Sequence, residues 1–189
     1  MATPRILVPL AQGCEELEAV TITDLLTRAE FDVVTAGLDE NPVTASRGMV
    51  LMPKTTMQVV MNEDFDMMVL PGGLPGANHL RDNELVQQKL KELAAQDKYI
   101  AAICAAPQAL ASAGILDNKT ATGYPGILEK LQVPGMQLSK LPVVVDGKVV
   151  TSQGPGTAMD FALSLIELIA GAEKRKQVEQ PLIRPSSLK

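Results

Sequence analysis

The residues best suited to chemistry surround one cysteine, Cys104. The apolar run Tyr99–Ile103 ends at Cys104, and a helical pattern begins directly after it. This pattern predicts a sharp strand-to-helix turn, with the thiol facing the positive end of a helix and free backbone N–H groups. Such surroundings lower the pKa of a thiol, and a thiolate is both a nucleophile and a target of oxidation. Cys104 is therefore the candidate reactive residue, although a cysteine that closes an apolar run is also typical of an inert core.

A carboxyl group and two glycines could meet Cys104 at one end of a sheet. Glu18 lies about one turn into a predicted helix, where it could act as a general acid/base and, when protonated, donate a hydrogen bond to the thiolate. Gly72 and Gly73 end another apolar run and allow the backbone to approach a ligand closely. The N–H groups of Gly73 and Ala105 could then bind a developing oxyanion. Taken alone, a glutamate in a first helical turn is most often a surface residue that complements the helix dipole.

The other thiol and the histidine give weaker signals. Cys14 lies in the loop after the first predicted strand, close to the proposed site, and is a candidate secondary redox residue. His79 follows a Pro-Gly pair in a predicted loop, where we expect it to face solvent. One histidine and two cysteines are too few for a structural zinc site, so the sequence predicts no metal.

The elements that must position these residues alternate between strands and helices. Buried strands are predicted at 6–10, 31–36, 67–70 and 99–103, and helices at 15–29, 82–95, 106–113 and 158–170. Hairpins are predicted around residues 46–48 and 146–147. Alternating β and α units predict a parallel sheet covered by helices on both faces, with the functional loops at the carboxyl ends of the strands.

The composition limits the classes of function. The chain has 189 residues, of which 46% are hydrophobic, and this predicts a single domain over 1–189 with a loosely held tail at 181–189. A net charge of −5 without a lysine and arginine cluster argues against a specific nucleic-acid partner or an anionic membrane. No apolar run is long enough to span a bilayer. Two cysteines do not form a disulfide framework, and we expect a cytoplasmic protein.

Five motifs together resemble the DJ-1/ThiJ/PfpI superfamily, in particular its small, single-domain, bacterial-type DJ-1-like branch. The motifs are GCEELE at 13–18, ASRG at 45–48, VLPGG at 69–73, AAICAAP at 101–107 and TSQGPGT at 151–157. The resemblance extends from about residue 5 to residue 182. It implies a flavodoxin-like three-layer α/β sandwich with a mostly parallel sheet, as in class I glutamine amidotransferases.

The resemblance also implies roles for individual residues. Cys104 matches the family's reactive elbow cysteine, and Glu18 matches its protonated glutamate partner. Gly73 and Ala105 match the positions whose backbone amides line the anion pocket. The activities that the family implies, cofactor-free glyoxalase and deglycase reactions among them, need no cofactor.

Family members usually form homodimers, with the first helix near the two-fold interface. Arg47 matches an arginine that reaches the pocket from across that interface, and Arg28 matches another arginine near it. Tyr124 stands where many eukaryotic members have a histidine, which leaves Glu18 as the obvious acid/base. Ala105 stands where the protease-like branches have a histidine, which argues against peptidase or amidotransferase chemistry.

Two hypotheses from different classes follow. In the first, the protein is an enzyme of stress response that acts on a small 2-oxoaldehyde or its glycated adducts through Cys104 and Glu18. In the second, it is a non-enzymatic sensor of oxidative stress or a redox-regulated chaperone, in which Cys104 is oxidised to a sulfinate. The two hypotheses are compatible with each other.

Overall fold

A computed structural model of the chain describes residues 3–184. The strands are β1 Arg5–Leu10, β2 Asp32–Gly37, β3 Val43–Thr44, β4 Val50–Leu51, β5 Thr55–Thr56, β6 Met67–Leu70, β7 Tyr99–Ile103, β8 Thr120–Ala121, β9 Gln137–Leu138, β10 Val143–Asp146 and β11 Val149–Ser152. The helices are α1 Glu16–Arg28, α2 Met57–Val60, α3 Gly76–Asp82, α4 Glu84–Ala95, α5 Pro107–Ser112 and α6 Ala158–Glu179.

Seven strands form a central sheet in the order β10-β11-β7-β6-β1-β2-β5. Neighbouring strands are parallel except β10, which runs antiparallel to β11. Helices α1 and α6 pack together, whereas α2 to α5 form a second group, and the two groups cover the two faces of the sheet. Because central strands are covered on both faces, β6 is an unbroken apolar run that is fully buried. The predicted three-layer α/β architecture with a mostly parallel sheet is confirmed.

The strand order reverses between β1 and β6. From β1 the chain moves outward to β2, and it later returns to β6 on the other side of β1. In parallel α/β sheets a reversal of this kind leaves a crevice at the carboxyl ends of the strands. Helix α1 follows β1, the Gly72-Gly73 pair follows β6, and Cys104 follows β7, so all three segments border the crevice.

The two predicted hairpins are confirmed. Strands β3 and β4 pair in antiparallel fashion around residues 45–49, and β10 pairs with β11 around Gly147, whose φ is 64°. The first hairpin is tied to the start of α1 because the carboxylate of Glu16 accepts hydrogen bonds from the N–H of Arg47 at 2.9 Å and of Met49 at 3.4 Å. This contact fixes the position of Arg47 relative to the crevice.

The helix predicted at 82–95 is confirmed as α4, which begins two residues later, at Glu84. Asn83 is extended, with φ −81° and ψ 121°, and its side chain caps α4 by accepting a hydrogen bond from the N–H of Val86 at 3.1 Å. The residues before Asn83 form α3, so His79 lies in a helix and not in the predicted loop. The asparagine acts as a start signal for α4 rather than as an interior helical residue.

The last helix continues beyond its predicted end. Gly171 has a φ of 85° and a ψ of 167°, which breaks the helical geometry, but helical structure resumes after it and α6 extends to Glu179. The region predicted as a loose tail begins in a short 3-10 turn, Gln180–Leu182, and Arg184 pairs with Asp160 at 2.7 Å. Residues 185–189 of that predicted tail lie outside the described residues.

Candidate functional site

Cys104 lies on a sharp turn between β7 and α5. Its φ is 63°, in the left-handed region that side chains other than glycine rarely adopt. The turn is held at both ends, because the Cys104 N–H donates to the carbonyl of Ser152 at 2.9 Å and its carbonyl accepts from the N–H of Tyr124 at 2.7 Å. Helix α5 begins three residues later at Pro107. The structure therefore places the thiol on the kind of elbow that the sequence predicts.

Glu18 lies beneath this elbow and is fully buried. Its Oε2 accepts a hydrogen bond from the N–H of Gly72 at 2.8 Å, whereas Oε1 has no partner of good geometry within residues 3–184. The Cys104 thiol is close enough to the carboxyl group to influence its pKa. A Cβ atom at Gly72 would lie 2.6 Å from the Cβ of Cys104 and 2.8 Å from Glu18 Oε2. Glycine at this position therefore permits the thiol and the carboxyl group to approach each other.

The pKa values of both groups are raised. Burial raises the pKa of Glu18 to about 7, although the Gly72 N–H and Cys104 oppose the change. Burial and the charge of an ionised Glu18 raise the pKa of Cys104 to about 12, while the N–H groups of Gly73 and Ala105 oppose that rise. The sequence predicts a lowered thiol pKa, and the structure gives the opposite direction. Burial outweighs the two amides, and α5 has only six residues with which to contribute a dipole.

The two groups nevertheless favour one common charge distribution. Part of the rise in the Cys104 pKa comes from negative charge on Glu18, so a proton on Glu18 removes that part. Negative charge at or next to the sulfur then faces the N–H groups of Gly73 and Ala105 and a neutral carboxyl group. This arrangement suits a thiolate, the oxyanion of a thiol adduct, or an oxidised sulfur.

A cavity of about 380 Å³ opens above the thiol. It is lined by Glu15, Ser46, Arg47, Gly73, Leu74, Cys104, Ala105, Tyr124, Ile127 and Pro155. Five of the residues singled out in the sequence thus share this wall, while Glu18 and Gly72 lie behind Cys104. Sequence reasoning missed the other five, although Glu15, Ser46 and Pro155 each lie within one of the quoted motifs. The Arg47 that lines the cavity belongs to the same chain as Cys104. An arginine therefore lines this cavity without a partner subunit.

The mouth of the cavity is polar. The Oε2 of Glu15 accepts a hydrogen bond from the Ser46 hydroxyl at 2.8 Å, which holds the carboxylate against the β3–β4 turn. The exposed Arg47 supplies a positive charge, and the half-exposed Tyr124 supplies a hydroxyl group. A small, polar carbonyl compound could therefore enter with its oxygen atoms directed toward donors.

Three other residues considered in the sequence do not line this cavity. Cys14 is fully buried, and burial raises the pKa of its thiol to about 11. Arg28 lies on the surface of α1, where it pairs with Asp24 at 2.7 Å. His79 is exposed, with its Nδ1 3.1 Å from the carbonyl oxygen of Gln12. Cys104 is therefore the thiol with access to the cavity.

Neither a metal-ligand cluster nor a membrane-spanning helix occurs between residues 3 and 184. No group of three or more His, Cys, Asp and Glu side chains in this range is arranged to hold a metal ion. No helix in the same range has the length and apolar character needed to cross a bilayer.

Comparison with known proteins places the chain in a family. A model of the DJ-1/PfpI family matches residues 4–168. The Parkinson disease protein 7 homolog of Danio rerio is 40% identical over 186 residues, covering 97% of this chain and 98% of its own length. The glutathione-independent glyoxalase DJR-1.2 of Caenorhabditis elegans is 33% identical over 177 residues, covering 94% of both chains. The structure of oxidized Toxoplasma gondii DJ-1 superposes with a TM-score of 0.90 at 37% identity, covering 96% of this chain and 98% of the other. The chain belongs to the DJ-1/PfpI family.

Proposed function

We propose that this protein is a cysteine-dependent stress-response enzyme that acts on reactive 2-oxoaldehydes or their adducts, in the manner of a cofactor-independent glyoxalase or deglycase. The observation that carries the proposal is the position of Cys104 in the cavity wall, between the N–H groups of Gly73 and Ala105 and above the buried Glu18. The similarity to a glutathione-independent glyoxalase supports the same substrate class.

The first step is addition of the thiol to an aldehyde such as methylglyoxal. Glu18 accepts the proton of the Cys104 thiol, and the sulfur attacks the aldehyde carbon to form a C–S bond. The electron pair of the carbonyl moves to its oxygen, where the N–H groups of Gly73 and Ala105 stabilise the oxyanion. Return of the proton from Glu18 to that oxygen gives a hemithioacetal.

The second step moves a hydrogen between the two carbon atoms. Glu18 removes the proton from the carbon bonded to sulfur, which gives an enediolate with its negative charge on the neighbouring oxygen. The hydroxyl proton on the sulfur-bearing carbon moves to that oxygen, and Glu18 returns its proton to the neighbouring carbon, which gives a thioester of Cys104. Water then hydrolyses the thioester, so that lactate leaves and the thiol is restored. A carboxyl group with a pKa of about 7 suits both directions of proton transfer near neutral pH.

Lactate formation from methylglyoxal by the purified protein tests this function. We expect steady turnover in the unmodified protein and in Cys14→Ala, which removes the thiol that lies outside the cavity. We expect turnover at background level in Cys104→Ala. Equal lactate formation by Cys104→Ala and the unmodified protein would reject the mechanism.

A second candidate function is a sensor of oxidative stress or a redox-regulated chaperone. The unpartnered Oε1 of Glu18 next to Cys104 favours it, because a protonated carboxyl group there could donate a hydrogen bond to a sulfinate. The similar Toxoplasma gondii DJ-1 is described in oxidized form. Two peroxide molecules would oxidise the thiol to a sulfinic acid and leave two molecules of water. Intact-mass measurement during a peroxide titration should show two added oxygen atoms in Cys14→Ala and none in Cys104→Ala.

We also propose that the chain forms a homodimer through α1 and the β3–β4 hairpin. Leu17 and Val20 of α1 are 50% and 43% exposed, and Met49 and Val50 of the hairpin are 51% and 63% exposed. Met49 and Val50 follow Arg47 closely in the chain, and a second copy of the chain would cover these four exposed apolar side chains. Sedimentation velocity should show a dimer that Leu17→Glu dissociates, whereas a monomer in the unmodified protein would contradict the proposal.

A further inference from the structure

A second carboxyl group lies at the mouth of the cavity above Cys104. Glu15 immediately precedes α1 and lines this cavity, whereas Glu18 lies in the first turn of the same helix and is fully buried. The residue before a helix and the third residue of that helix are close in space, so that each can reach the other's backbone. The two carboxyl groups are therefore neighbours, one open to the cavity and the other shielded from it.

The backbone of Gly72 fixes these two residues relative to each other. At many helix starts the side chain of the third helical residue bonds to the N–H of the residue before the helix. Here the N–H of Glu15 donates instead to the Gly72 carbonyl at 2.9 Å, and Glu18 Oε2 accepts from the Gly72 N–H at 2.8 Å. A Cβ at Gly72 would lie 2.6 Å from the Cβ of Cys104. One peptide segment thus holds both glutamates in place beside the thiol.

The side chain of Glu15 is held away from its own helix. It makes no capping hydrogen bond to α1, and its Oε2 accepts a hydrogen bond from the Ser46 hydroxyl at 2.8 Å. The residue is half-buried between α1 and the β3–β4 hairpin. The hydroxyl group therefore keeps the carboxylate at the cavity mouth, where it would otherwise be free to turn toward solvent.

No ion pair neutralises this carboxylate within residues 3–184. Arg47, which also lines the cavity, is exposed and pairs with no residue in that range. On α6, the helix packed against α1, Asp160 pairs with Arg184 at 2.7 Å. On the sheet, Arg5 of β1 and Asp32 of β2 pair at 2.9 Å at the amino ends of their strands, away from the cavity. The negative charge at the mouth can therefore act on the groups beneath it.

The buried glutamate is the group on which this charge acts. Burial is the main cause of the raised pKa of Glu18, and the negative charge of Glu15 adds to it. Glu16 directs its carboxylate to the hairpin, and burial raises the pKa of the Cys14 thiol to about 11. The charge of Glu18 in turn raises the pKa of Cys104. A charge that favours a proton on Glu18 therefore lessens the opposition to a thiolate at Cys104.

We propose that Glu15 is a positioning residue of this site: its carboxylate, held at the cavity mouth by Ser46, keeps the proton of the Cys104–Glu18 pair on Glu18. The proposal deepens the proposed function and rests on it for its catalytic meaning, because the thiol proton must move to Glu18 before the sulfur attacks an aldehyde. Glu15 itself transfers no proton and forms no bond to the substrate.

Titration of Glu18 tests the proposal directly. The carbon-13 chemical shift of its carboxyl group, followed from about pH 4 to 9, gives the midpoint. Glu15→Gln removes the charge but keeps an acceptor for the Ser46 hydroxyl, and it should move the midpoint to lower pH by about half a pH unit. Ser46→Ala keeps the charge but frees the carboxylate, so it should give a smaller change in the same direction. Glu173→Gln, in the exposed second half of α6, should leave the midpoint unchanged.

An unchanged midpoint in Glu15→Gln, or an equal change in Glu173→Gln, would overturn the proposal. The titration needs no substrate, so a protein that forms no lactate would contradict the proposed function while the role of Glu15 is still decided. In a protein that does form lactate, the pH dependence of kcat/KM should move to lower pH in Glu15→Gln. A rate loss of the same size at every pH would mean that Glu15 only supports the structure, and would also overturn the proposal.

Discussion

Two thiol–carboxyl pairs lie near the start of α1; their thiols are alike in burial and raised pKa, but their carboxyl groups and their access to a cavity differ. Cys14 is paired with Glu16, and Cys104 is paired with Glu18. Both thiols are nearly or fully buried, and burial raises the pKa of each, to about 11 and about 12. The carboxyl groups belong to the same helical turn. Burial and thiol pKa therefore do not distinguish the two cysteines.

The carboxyl groups have opposite shifts. Burial alone would raise the pKa of Glu16, but the N–H groups of Arg47 and Met49, its own N–H and the Ser46 hydroxyl together lower it. Glu18 accepts a hydrogen bond from one backbone N–H, that of Gly72, and burial raises its pKa to about 7. Glu16 thus remains an ionised anchor for the β3–β4 turn, whereas Glu18 can hold a proton near neutral pH.

The comparison shows what makes a buried thiol suitable for chemistry. Cys104 has a cavity above it, two amides directed at it and a carboxyl group that can take its proton. Cys14 has an ionised neighbour that disfavours a thiolate, and it does not line the cavity above Cys104. The two thiols therefore differ in access from the cavity and in whether the neighbouring carboxyl group can hold a proton near neutral pH. Substitution can change each of these two properties.

The largest expected effect is on turnover when the carboxyl groups are replaced. Glu18→Gln keeps an acceptor for the Gly72 N–H but cannot transfer a proton, so lactate formation should fall by about 10²–10⁴-fold. Glu16→Gln, the matched change in the other pair, should reduce it by less than about tenfold, because an amide oxygen can still accept from the hairpin turn. Steady-state kinetics on both variants checks this, and comparable losses would remove the distinction between the two carboxyl groups.

The next effect is on alkylation of the thiols. In Cys14→Ala, iodoacetamide should label Cys104 through the cavity. In Cys104→Ala, labelling of Cys14 requires local opening of a fully buried site and should be slower by at least about a hundredfold. Time-resolved mass spectrometry measures both rates. Similar rates would mean that access does not separate the two thiols.

The third effect is a pH dependence of stability with opposite signs for the two carboxyl groups. Burial raises the pKa of Glu18 from 4.5 to about 7, so the folded protein holds a proton that the unfolded chain releases between these pH values. The free energy of unfolding from this group therefore falls as pH rises through that window. Relative to the unmodified protein, Glu18→Gln should gain about 3 kcal/mol between pH 4.5 and 8.

The Glu16 carboxyl group gives the reverse behaviour. Its lowered pKa contributes stability above its ordinary value of 4.5, and that contribution is lost as pH falls through the lowered pKa. Glu16→Gln should therefore approach the stability of the unmodified protein at acid pH and fall behind it at neutral pH. Urea denaturation from pH 3 to 8 measures both variants, and slopes of the same sign would contradict the assigned shifts.

The smallest effect concerns the glycine that lets the Cys104 pair form. Gly72→Ala would place a Cβ 2.6 Å from the Cβ of Cys104, and overpacking of this kind costs about 1–3 kcal/mol of unfolding free energy. Gly156→Ala is the control, because a Cβ there meets no atom within 4 Å. Thermal denaturation should show a lower midpoint for the first variant alone. Two equal midpoints would show that the crowding at Gly72 is relieved without cost.

The structure reproduces the elements for which the sequence has a strong local pattern. The unbroken apolar strands, the Asp146-Gly147 turn and the abrupt change of pattern at Cys104 are each encoded within a few residues. Gly171 was a misleading signal, since it breaks the geometry of α6 without ending the helix. Helix α4 begins two residues after its predicted start because the Asn83 side chain caps it by accepting a hydrogen bond from the N–H of Val86.

The electrostatics of the site could not be read from the sequence. The raised pKa of Cys104 depends on burial by distant segments, and the opposite shifts of Glu16 and Glu18 depend on which backbone N–H groups surround each one. The same is true of Pro155, which reaches the cavity wall from a loop about fifty residues after Cys104. Such contacts are set by tertiary packing and leave no local pattern.

The backbone of Cys104 carries a consequence for how this position tolerates substitution. A left-handed φ of 63° suits glycine and asparagine better than cysteine, so the residue required for chemistry is not the one that the backbone prefers. Variants selected only for folding should drift toward glycine or asparagine at position 104, whereas variants selected for turnover should retain cysteine. The elbow is thus a position where selection for stability and selection for activity favour different amino acids.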